Sequence, residues 1–208
     1  EPAGRVSGSP IRLAENAGIA YIGCYVLGMG FVLDPEEAAE WLAEDPRNGE
    51  VLFPYLNGDD LNSRPDQSAS RWVIDFNARS ETDSRAYVRP FARLLDEVKG
   101  ERQKVNRKAL RERWWQYADK RPALRRAIAG LDEVLVIALV SKTVMPARVP
   151  TGQVFSHRLA VFASDCFATQ AVLSSSVHWL WAVTYSSTLE SRVNYSPSDC
   201  FLTFPRPT

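Results

Sequence analysis

The stretch Val51-Leu52-Phe53-Pro54-Tyr55-Leu56-Asn57-Gly58-Asp59-Asp60-Leu61, followed ten residues later by Arg71-Trp72-Val73-Ile74-Asp75-Phe76, decides the fold class. Residues 51–53 are apolar and predict a short strand, and residues 57–60 form a turn signal. Residues 71–76 contain two aromatic and two β-branched side chains, so they predict another strand. Strands of this kind, close together in the chain, predict a small sheet.

Two further strands and a helix are predicted before this stretch. Residues 21–27 and 31–33 are apolar, and the glycines between them favour a hairpin turn. A helix is predicted over residues 36–43. Asp34 can cap this helix, and Glu37 completes the spacing of a capping box. The segment before residue 21 is predicted to be an irregular lead-in.

The rest of the chain divides into a helical part and a strand-rich part. From residue 84 to about residue 126 the pattern is helical, and Gly100 and Pro122 divide it into about three helices. After Gly130 short strands are predicted at residues 133–140, 142–147, 153–156, 158–162 and 191–195, with one or two buried helices within residues 167–185. The order of elements predicts an α/β (α+β) fold, with small mixed sheets and a helical insertion.

Charge is distributed unevenly along a chain that is neutral overall. The chain has 208 residues and a formal net charge of zero. Residues 1–62 carry three arginines against eleven acids, whereas residues 85–126 carry fourteen lysines and arginines against five acids. A concentrated basic segment indicates a polyanionic partner such as nucleic acid, although a solvated amphipathic helix would give the same pattern.

Composition and cysteine usage indicate a globular protein of a reducing compartment. Hydrophobic residues make up 45% and charged residues 24% of the chain. Cys24, Cys166 and Cys200 are widely separated and form no CxxC pair, which argues against a disulfide framework and a structural zinc site. We find no signal peptide, and the apolar run at residues 19–33 is short for a membrane span. These features predict a cytoplasmic location and no membrane partner.

The motifs of a DNA methylase are missing from the chain. An adenine methylase needs an Asn-Pro-Pro-Tyr type of loop, which stacks on the extruded base and accepts hydrogen bonds from its amino group. The nearest string, residues 53–55, lacks that pattern. Gly23, Gly28 and Gly30 have the wrong spacing for a cofactor loop. We therefore predict no catalytic residue and no cofactor in this chain.

The sequence offers weak candidates for metal or nucleophilic chemistry. Asp75 with Glu97-Val98-Lys99 resembles the carboxylate set of metal-dependent nucleases, but Glu97 falls in a predicted helix, where a surface pair is the better interpretation. His178 lies in an apolar context and is predicted to be packed and hydrogen-bonded. His157 is predicted to be exposed. Neither histidine has a clustered Cys or Asp partner, so no metal site is predicted.

Candidate DNA-binding side chains are more numerous. Arginine and lysine can contact phosphates, and Arg, Lys, Asn and Gln can recognise base edges. Candidates on predicted loops and strand ends are Ser141, Lys142, Thr143, Arg148, Gln153, Ser156, His157, Arg158, Arg192, Asn194 and Tyr195. Candidates for phosphate contacts from the basic helical segment are Lys104, Arg107, Lys108 and Arg111. Each of them could also be an ordinary surface residue.

Six strings in order resemble a known family. They lie at residues 53–61, 71–76, 98–102, 113–115, 121–124 and 195–205. Together they resemble the target-recognition region of type IIL restriction–modification methylases, single-chain enzymes that methylate adenine, and of related phage-defence adenine methylases. The resemblance covers residues 20–207. The recognition domains of that family are similar to those of type I specificity subunits.

The resemblance implies a division of labour along the chain. Residues 1–20 would lead in from an upstream methylase domain of the same polypeptide, and residues 21–208 would form a recognition domain for double-stranded DNA. In that domain residues 84–130 are the basic helical segment and residues 131–195 are the strand-rich recognition part. Base-reading positions would fall within residues 141–158, and Arg192 to Tyr195 would contact the DNA backbone. S-adenosylmethionine would be bound by the parent protein and not by this chain.

Two other functions are compatible with the sequence. The chain could be a catalytic fragment of a methylase or nuclease. It could also be a protein-interaction module of a phage-defence complex, which would use the acidic first 62 residues and the basic middle to bind partners.

Overall fold

The structure is a computed structural model, and it describes residues 10–189 and 192–206. The strands are β1 Ala20–Ile22, β2 Val32–Leu33, β3 Leu52–Leu56, β4 Arg71–Ile74, β5 Glu133–Ala138, β6 Val140–Ser141, β7 Ala147–Pro150, β8 Val154–Phe155, β9 Leu159–Phe162, β10 Ser187–Leu189 and β11 Arg192–Asn194. The α-helices are α1 Pro35–Glu44, α2 Gly58–Ser63, α3 Glu81–Ser84, α4 Val88–Glu97, α5 Lys99–Gln103, α6 Lys108–Glu112, α7 Pro122–Ile128, α8 Phe167–Leu173 and α9 Ser176–Tyr185.

The strands form three small sheets. The central sheet has the order β1-β9-β5-β7 and is antiparallel throughout. The N-terminal sheet has the order β2-β4-β3-β8, in which β3 and β8 are parallel. The C-terminal sheet has the order β10-β11-β6. Helices α3 to α7 lie between β4 and β5 in the chain, so the predicted mixed fold with a helical insertion is confirmed.

The central sheet is buried on both faces. Val134 and Val136 of β5 pack with Leu124 of α7 in one apolar cluster. Leu135 and Ile137, which point to the other side, pack in a second cluster that includes residues of α8, α9 and the C-terminal segment. Burial on both faces explains why residues 134–138 form a continuous apolar run and not an alternating one.

A third apolar cluster joins the helical insertion to the N-terminal sheet. Phe91 and Leu94 of α4 pack in it with Trp114, Phe31 and Phe76. The ring centroids of Phe91 and Trp114 are 5.4 Å apart in an edge-to-face arrangement. The insertion is therefore part of the folded body and not a separate unit.

The acidic and basic segments neutralise each other across this contact. Arg89 of α4 pairs with Glu40 and Glu44 of α1, and Arg93 pairs with Glu37. These ion pairs join the acidic first part of the chain to the basic middle. The charge available to an outside partner is therefore smaller than the sequence suggests.

The predicted hairpin over residues 21–33 is wrong. β1 pairs with β9 in the central sheet, whereas β2 pairs with β4 in the N-terminal sheet. The glycines between the two strands serve close packing instead of a hairpin turn. A Cβ on Gly23 would collide with the backbone of Ser156, and a Cβ on Gly30 would lie 2.8 Å from Val98.

The starts of two helices differ from what the local sequence predicts. Helix α1 is present as predicted, but Asp34 makes no capping hydrogen bond and pairs with Arg71 instead. The predicted turn at residues 57–60 is the start of α2. There Asn57 accepts from the amides of Asp59 and Asp60, and Asp60 accepts from the amide of Asn57, which completes a capping box.

Three other predicted elements differ from the structure. Residues 142–147 are not a strand, because β6 ends at Ser141 and β7 begins at Ala147. Gly100 does not divide two helices but lies inside α5, and the break falls at Val98. Helices α8 and α9 are present, but they are not fully buried, since their outer side chains face solvent. Ser191, the first residue of the predicted last strand, lies outside the described residues, as do residues 1–9.

Segments near both ends of the described chain lie together. Asn16 is fully buried, and its side-chain amide donates to the carbonyl oxygens of Phe201 and Phe204 at 2.9 and 2.8 Å. The backbone amide of Leu13 donates to the carbonyl of Leu202. None of the helices within the described residues has both the length and the hydrophobicity needed to cross a bilayer.

A buried ion pair joins β4 to α7. Asp75 is 2% exposed, and its carboxylate accepts from Nη2 of Arg125 at 2.6 Å and from the amide of Asn77 at 2.9 Å. The thiol of Cys24 lies 3.6 Å from the same guanidinium nitrogen, and burial raises its pKa to about 11. Cys24 is therefore a protonated, packed side chain.

We predict that Arg125→Met destabilises the domain by about 3 kcal/mol, because it leaves the buried carboxylate of Asp75 without its charged partner. The measurement is chemical denaturation followed by tryptophan fluorescence. Arg126→Met is the matched control, since Arg126 is the next residue of the same helix and is exposed. Equal stability of the two variants would contradict the role of the pair.

We also predict that the domain loses stability as the pH falls below about 6.5. His178 is fully buried, and burial lowers its pKa, so the folded chain resists the proton that the unfolded chain accepts. The pKa of His157 is lowered in the same direction. Stability is thus fully present above the unfolded-state pKa. It declines by at most about 1.4 kcal/mol per pH unit for each histidine as the pH falls towards the folded-state pKa.

The measurement is the free energy of unfolding between pH 7.5 and pH 5. His178→Gln should lower this free energy at neutral pH but flatten its decline towards acid, because glutamine does not titrate. An unchanged slope in the variant would show that His178 does not cause the decline.

Candidate nucleic-acid interface

Two neighbouring surface grooves share one arginine, Arg158. The first, which we call the arginine groove, has a volume of about 420 Å³ and is lined by Ile22, Tyr25, Arg107, Ala118, Asp119, Arg121, His157 and Arg158. The second, which we call the amide groove, has a volume of about 340 Å³ and is lined by Asn57, Gly58, Asp59, Asn62, Val140, Arg158 and Arg192.

The segment at residues 24–25 builds the arginine groove by joining the helical insertion to the central strands. The amide of Tyr25 donates to the carbonyl of Asp119 at 3.0 Å, and the amide of Asp119 donates back at 3.1 Å. Cys24 exchanges backbone hydrogen bonds with Phe155 and His157 on the other side. Residues from three distant parts of the chain therefore meet at one groove.

Tyr25 and His157 form an aromatic surface in this groove. Their ring centroids are 4.6 Å apart with an interplanar angle of 63°, and Tyr25 is 40% exposed. Burial lowers the pKa of His157, and the nearby guanidinium groups of Arg158 and Arg121 lower it further. The imidazole is therefore neutral at neutral pH, and the positive charge of the groove comes from its arginines.

A buried arginine holds the loop that follows Tyr25. Arg102 is 2% exposed, and its Nη2 donates to the carbonyls of Val26 at 3.0 Å and Leu27 at 2.8 Å. Leu27 has a φ of 56°, a conformation that is unfavourable for a leucine unless its surroundings hold it. The guanidinium also lies over the ring of Phe31. Arg102 thus fixes the loop at residues 26–27 from the protein interior and is not a surface cation.

Arg158 lies where the two grooves meet. Within the described residues its guanidinium forms no ion pair and donates no hydrogen bond. A Cβ built on Gly58 would lie 3.5 Å from the Cβ of Arg158, an ordinary van der Waals contact, so the start of α2 lies beside Arg158. Arg121 is held more firmly, because its Nε donates to the carbonyl of Gly23 and its Nη1 pairs with Asp119 at 3.1 Å.

Asn62 joins the amide groove to the C-terminal sheet. Its Nδ2 donates to the carbonyl of Val140 at 3.1 Å, and its Oδ1 accepts from the hydroxyl of Ser141 at 2.7 Å. These bonds fix α2 against β6. Because β6 pairs with β11 through Val140 and Asn194, the same contact brings Arg192 to the groove.

The structure gathers some of the residues predicted from the sequence and separates others. Arg107, His157, Arg158 and Arg192 line the grooves. Lys142 and Thr143 are exposed just after β6.

Several predicted residues are buried or lie elsewhere. Ser141, Ser156 and Tyr195 are 6%, 2% and 1% exposed, so their side chains do not offer a surface for DNA. The hydroxyl of Tyr195 lies 3.1 Å from Nε2 of His178, and the other ring nitrogen of His178 lies 2.8 Å from the carbonyl of Leu173. His178 is thus packed and hydrogen-bonded as predicted. His157 is half-buried and not openly exposed.

Internal contacts hold Arg148, Gln153 and Asn194. Arg148 donates to Gln170 and to the carbonyl of Asp165, pairs with Glu133 and stacks over the ring of Phe167 at 4.2 Å. Gln153 donates to the carbonyl of Pro150 and lines a different cavity, which also contains Asp75 and Arg125. Asn194 donates to the hydroxyl of Ser187.

The basic helical segment contributes less than its charge suggests. Lys104 is exposed, and Lys108 pairs loosely with Glu112 one helical turn away. Arg111 donates to the carbonyls of Val105 and Asn106 at 2.7 Å, so it closes a loop instead of facing outward. Among the four residues predicted there, Arg107 lines the arginine groove.

Sequence reasoning missed Tyr25, Arg121 and Asn62. Tyr25 looked like one more apolar strand residue, and nothing in the pattern marks it as exposed. Arg121 was noted only as part of a family string. Its φ of 50° and its place at the start of α7 are visible only in the structure.

The side chains considered for catalysis are engaged elsewhere. Asp75 pairs with Arg125, and Glu97 pairs with Arg93 on the same helix. No cluster of three metal-ligating side chains occurs within residues 10–189 and 192–206. Gly23 and Gly30 are tightly packed against protein atoms and leave no cradle for a cofactor.

A family model identifies the family of this chain, and a solved structure shares its fold. The family model described as "MmeI, target recognition domain" matches residues 22–208. Among solved structures the chain is similar to the type IIL restriction-modification enzyme MmeI in complex with DNA, with a TM-score of 0.76 and 19% sequence identity. That alignment covers 98% of this chain but only 27% of the matched chain, and at this identity it shows the fold alone. No curated protein matches.

Proposed function

Because the chain belongs to the MmeI target-recognition-domain family, we propose that it recognises a specific sequence in duplex DNA as part of a larger restriction–modification enzyme. The observation that carries this proposal is the position of Arg158, which is shared by the two grooves. At that junction the side chain can contact DNA that lies in the arginine groove or in the amide groove.

The arginine groove is suited to the phosphate backbone. Arg107, Arg121 and Arg158 surround it, and Asp119 is the one acidic side chain in its lining. Arginines at such a site bind phosphates and fix the position of the duplex without regard to its sequence. Tyr25 adds an exposed ring against which a sugar or a base can pack.

The amide groove is suited to base edges. Arg158 and Arg192 can each bind a guanine through two hydrogen bonds, and Lys142 and Thr143 are exposed close to the same strand end. Asn57 and Asn62 hold the groove in shape through their bonds to α2 and β6. We therefore assign recognition of bases to Lys142, Thr143, Arg158 and Arg192, and backbone contacts to Arg107, Arg121 and Lys104.

Catalysis belongs to another part of the parent enzyme in this proposal. We propose that the parent methylates adenine with S-adenosylmethionine in the cytoplasm, and that this chain selects the site. Gly23 and Gly30 are packed against protein atoms, and we assign this chain no step in methyl transfer. Docking of a partner through the acidic and basic segments is less well supported, since Glu37, Glu40, Arg89 and Arg93 are paired within the chain.

We predict that duplex binding by this chain weakens steeply as salt rises, and that Arg107→Gln makes the dependence shallower. Loss of one phosphate contact should reduce the slope of log K against log salt by about 0.9. The measurement is fluorescence anisotropy with a labelled duplex between low and high salt. Arg47→Gln is the control, because Arg47 is exposed and pairs with Asp45 outside the grooves. A slope that Arg107→Gln leaves unchanged would remove this residue from the backbone contacts.

We predict that Arg158→Ala reduces discrimination between the recognised sequence and its single-base variants by about 1–3 kcal/mol. In the parent enzyme it should relax or abolish modification at the recognised site, measured by sequencing the methylated positions. Lys108→Ala, which removes an exposed charge outside both grooves, should leave the modified sequence unchanged. If Arg158→Ala weakens binding to all sequences equally, the residue contacts the backbone only.

A further inference from the structure

Helix α9 is apolar on all sides, although only one side is covered. His178 and Ala182 are fully buried against the second cluster of the central sheet. On the other side Val177, Trp179 and Leu180 are 64%, 47% and 60% exposed. A helix that is hydrophobic all round is normally enclosed by protein. An exposed group of large apolar side chains commonly marks an interaction surface.

The sequence around this helix is poor in cations. Between Arg158 and Arg192 the sequence contains no lysine or arginine, and its ionised side chains are the carboxylates of Asp165 and Glu190. Arg148 packs on Phe167 of α8 and Arg206 bonds to Asn16, so contacts within the chain engage both arginines. An apolar surface with few available cations is better suited to another protein surface than to DNA phosphates.

The helix covers the sheet face that is turned away from the grooves. Gly58 of the amide groove lies close to Ala138, on the face of the central sheet where Leu56 and Phe155 pack. Helices α8 and α9 cover the opposite face, where Leu173 and Ala182 pack. DNA bound along the grooves would therefore leave the outer side of α9 uncovered.

Both terminal segments of the described chain lie beside α9. The ring of Phe204 packs against His178 and Trp181 at centroid distances of 5.1 and 5.9 Å. The indole of Trp181 donates to the hydroxyl of Thr203, and the buried Asn16 bonds to the carbonyl of Phe204. A further domain connected through either segment would start next to this helix.

We propose that the outer side of α9, formed by Val177, Trp179 and Leu180, is the surface on which another domain of the same polypeptide docks. The inference rests on the proposed function, in which the chain is one part of a larger enzyme, and the matched enzyme is several times longer than this chain. The partner surface is apolar and covers the helix, and it holds the recognition domain while the grooves stay open to DNA.

The test compares hydrogen exchange of residues 176–185 in the 208-residue chain and in the full polypeptide that contains it, both without DNA. Docking should slow exchange of this segment at least about tenfold in the full polypeptide. The double variant Val177→Glu/Leu180→Glu should return the rate to that of the chain alone. Val88→Glu is the matched control, because Val88 is 71% exposed on α4, and it should change nothing.

Three results would overturn the proposal. The first is equal exchange of residues 176–185 in the two proteins. The second is protection of this segment in the 208-residue chain that increases with the concentration of that chain. The third is protection in the full polypeptide that is seen only after duplex DNA is added. An unchanged thermal midpoint of the 208-residue variant shows that the glutamates do not unfold it. Duplex binding is measured on the same samples. If neither protein binds duplex DNA, the proposed function is refuted. The exchange rates would still decide whether α9 docks against another domain.

Discussion

The burial of the central sheet on both faces is the constraint on which the rest of the structure depends. β5 and β9 contribute side chains to two apolar clusters at once, so neither face is available for a ligand. Function must therefore lie at the ends of the strands and in the segments that cross them. Both grooves lie there, at the start of β9, where Arg158 follows Ser156 and His157. The two faces of the central sheet support the fold, and the grooves lie at one of its edges.

Charge acts in two separate ways in this molecule. Three glutamates of the acidic segment pair with two arginines of the basic segment, and these pairs join α1 to α4. The arginines that line the grooves are Arg107 before α6, Arg121 before α7, Arg158 before β9 and Arg192 of β11. Cations gathered in a concave surface raise the local positive potential and attract a polyanion more strongly than the same number spread over an open surface.

The sequence predicts the types of the elements better than their partners. The helical insertion and most strands of the C-terminal half follow from periodicity and turn residues, and the structure confirms them, except for the strand predicted at residues 142–147. The partners of β1 and β2 could not be predicted, because a glycine-rich connection looks the same whether it closes a hairpin or crosses between sheets. Helix capping was predicted wrongly for a related reason. Asp34 pairs with Arg71, which is distant in sequence, and does not cap α1. Residues 57–60 were predicted to be a turn, but Asn57 and Asp60 form the capping box of α2. Arg148 and Arg158 have the same chemistry in similar predicted loops, and only the tertiary contacts of Arg148 show that it supports the fold.

The position of Arg158 at the junction of the grooves also bears on how such a domain can evolve. Under the proposed function, a substitution there would alter backbone binding together with the contact to the bases, so a change of preference at that position would carry a loss of general affinity. Arg192 is brought to the amide groove by the pairing of β11 with β6, and it does not line the arginine groove, to which we assign backbone binding. Substitutions that change the recognised DNA sequence should therefore be tolerated more easily at Arg192 and in the exposed turn at Lys142 and Thr143. Arg158 would be retained across members that recognise different sites.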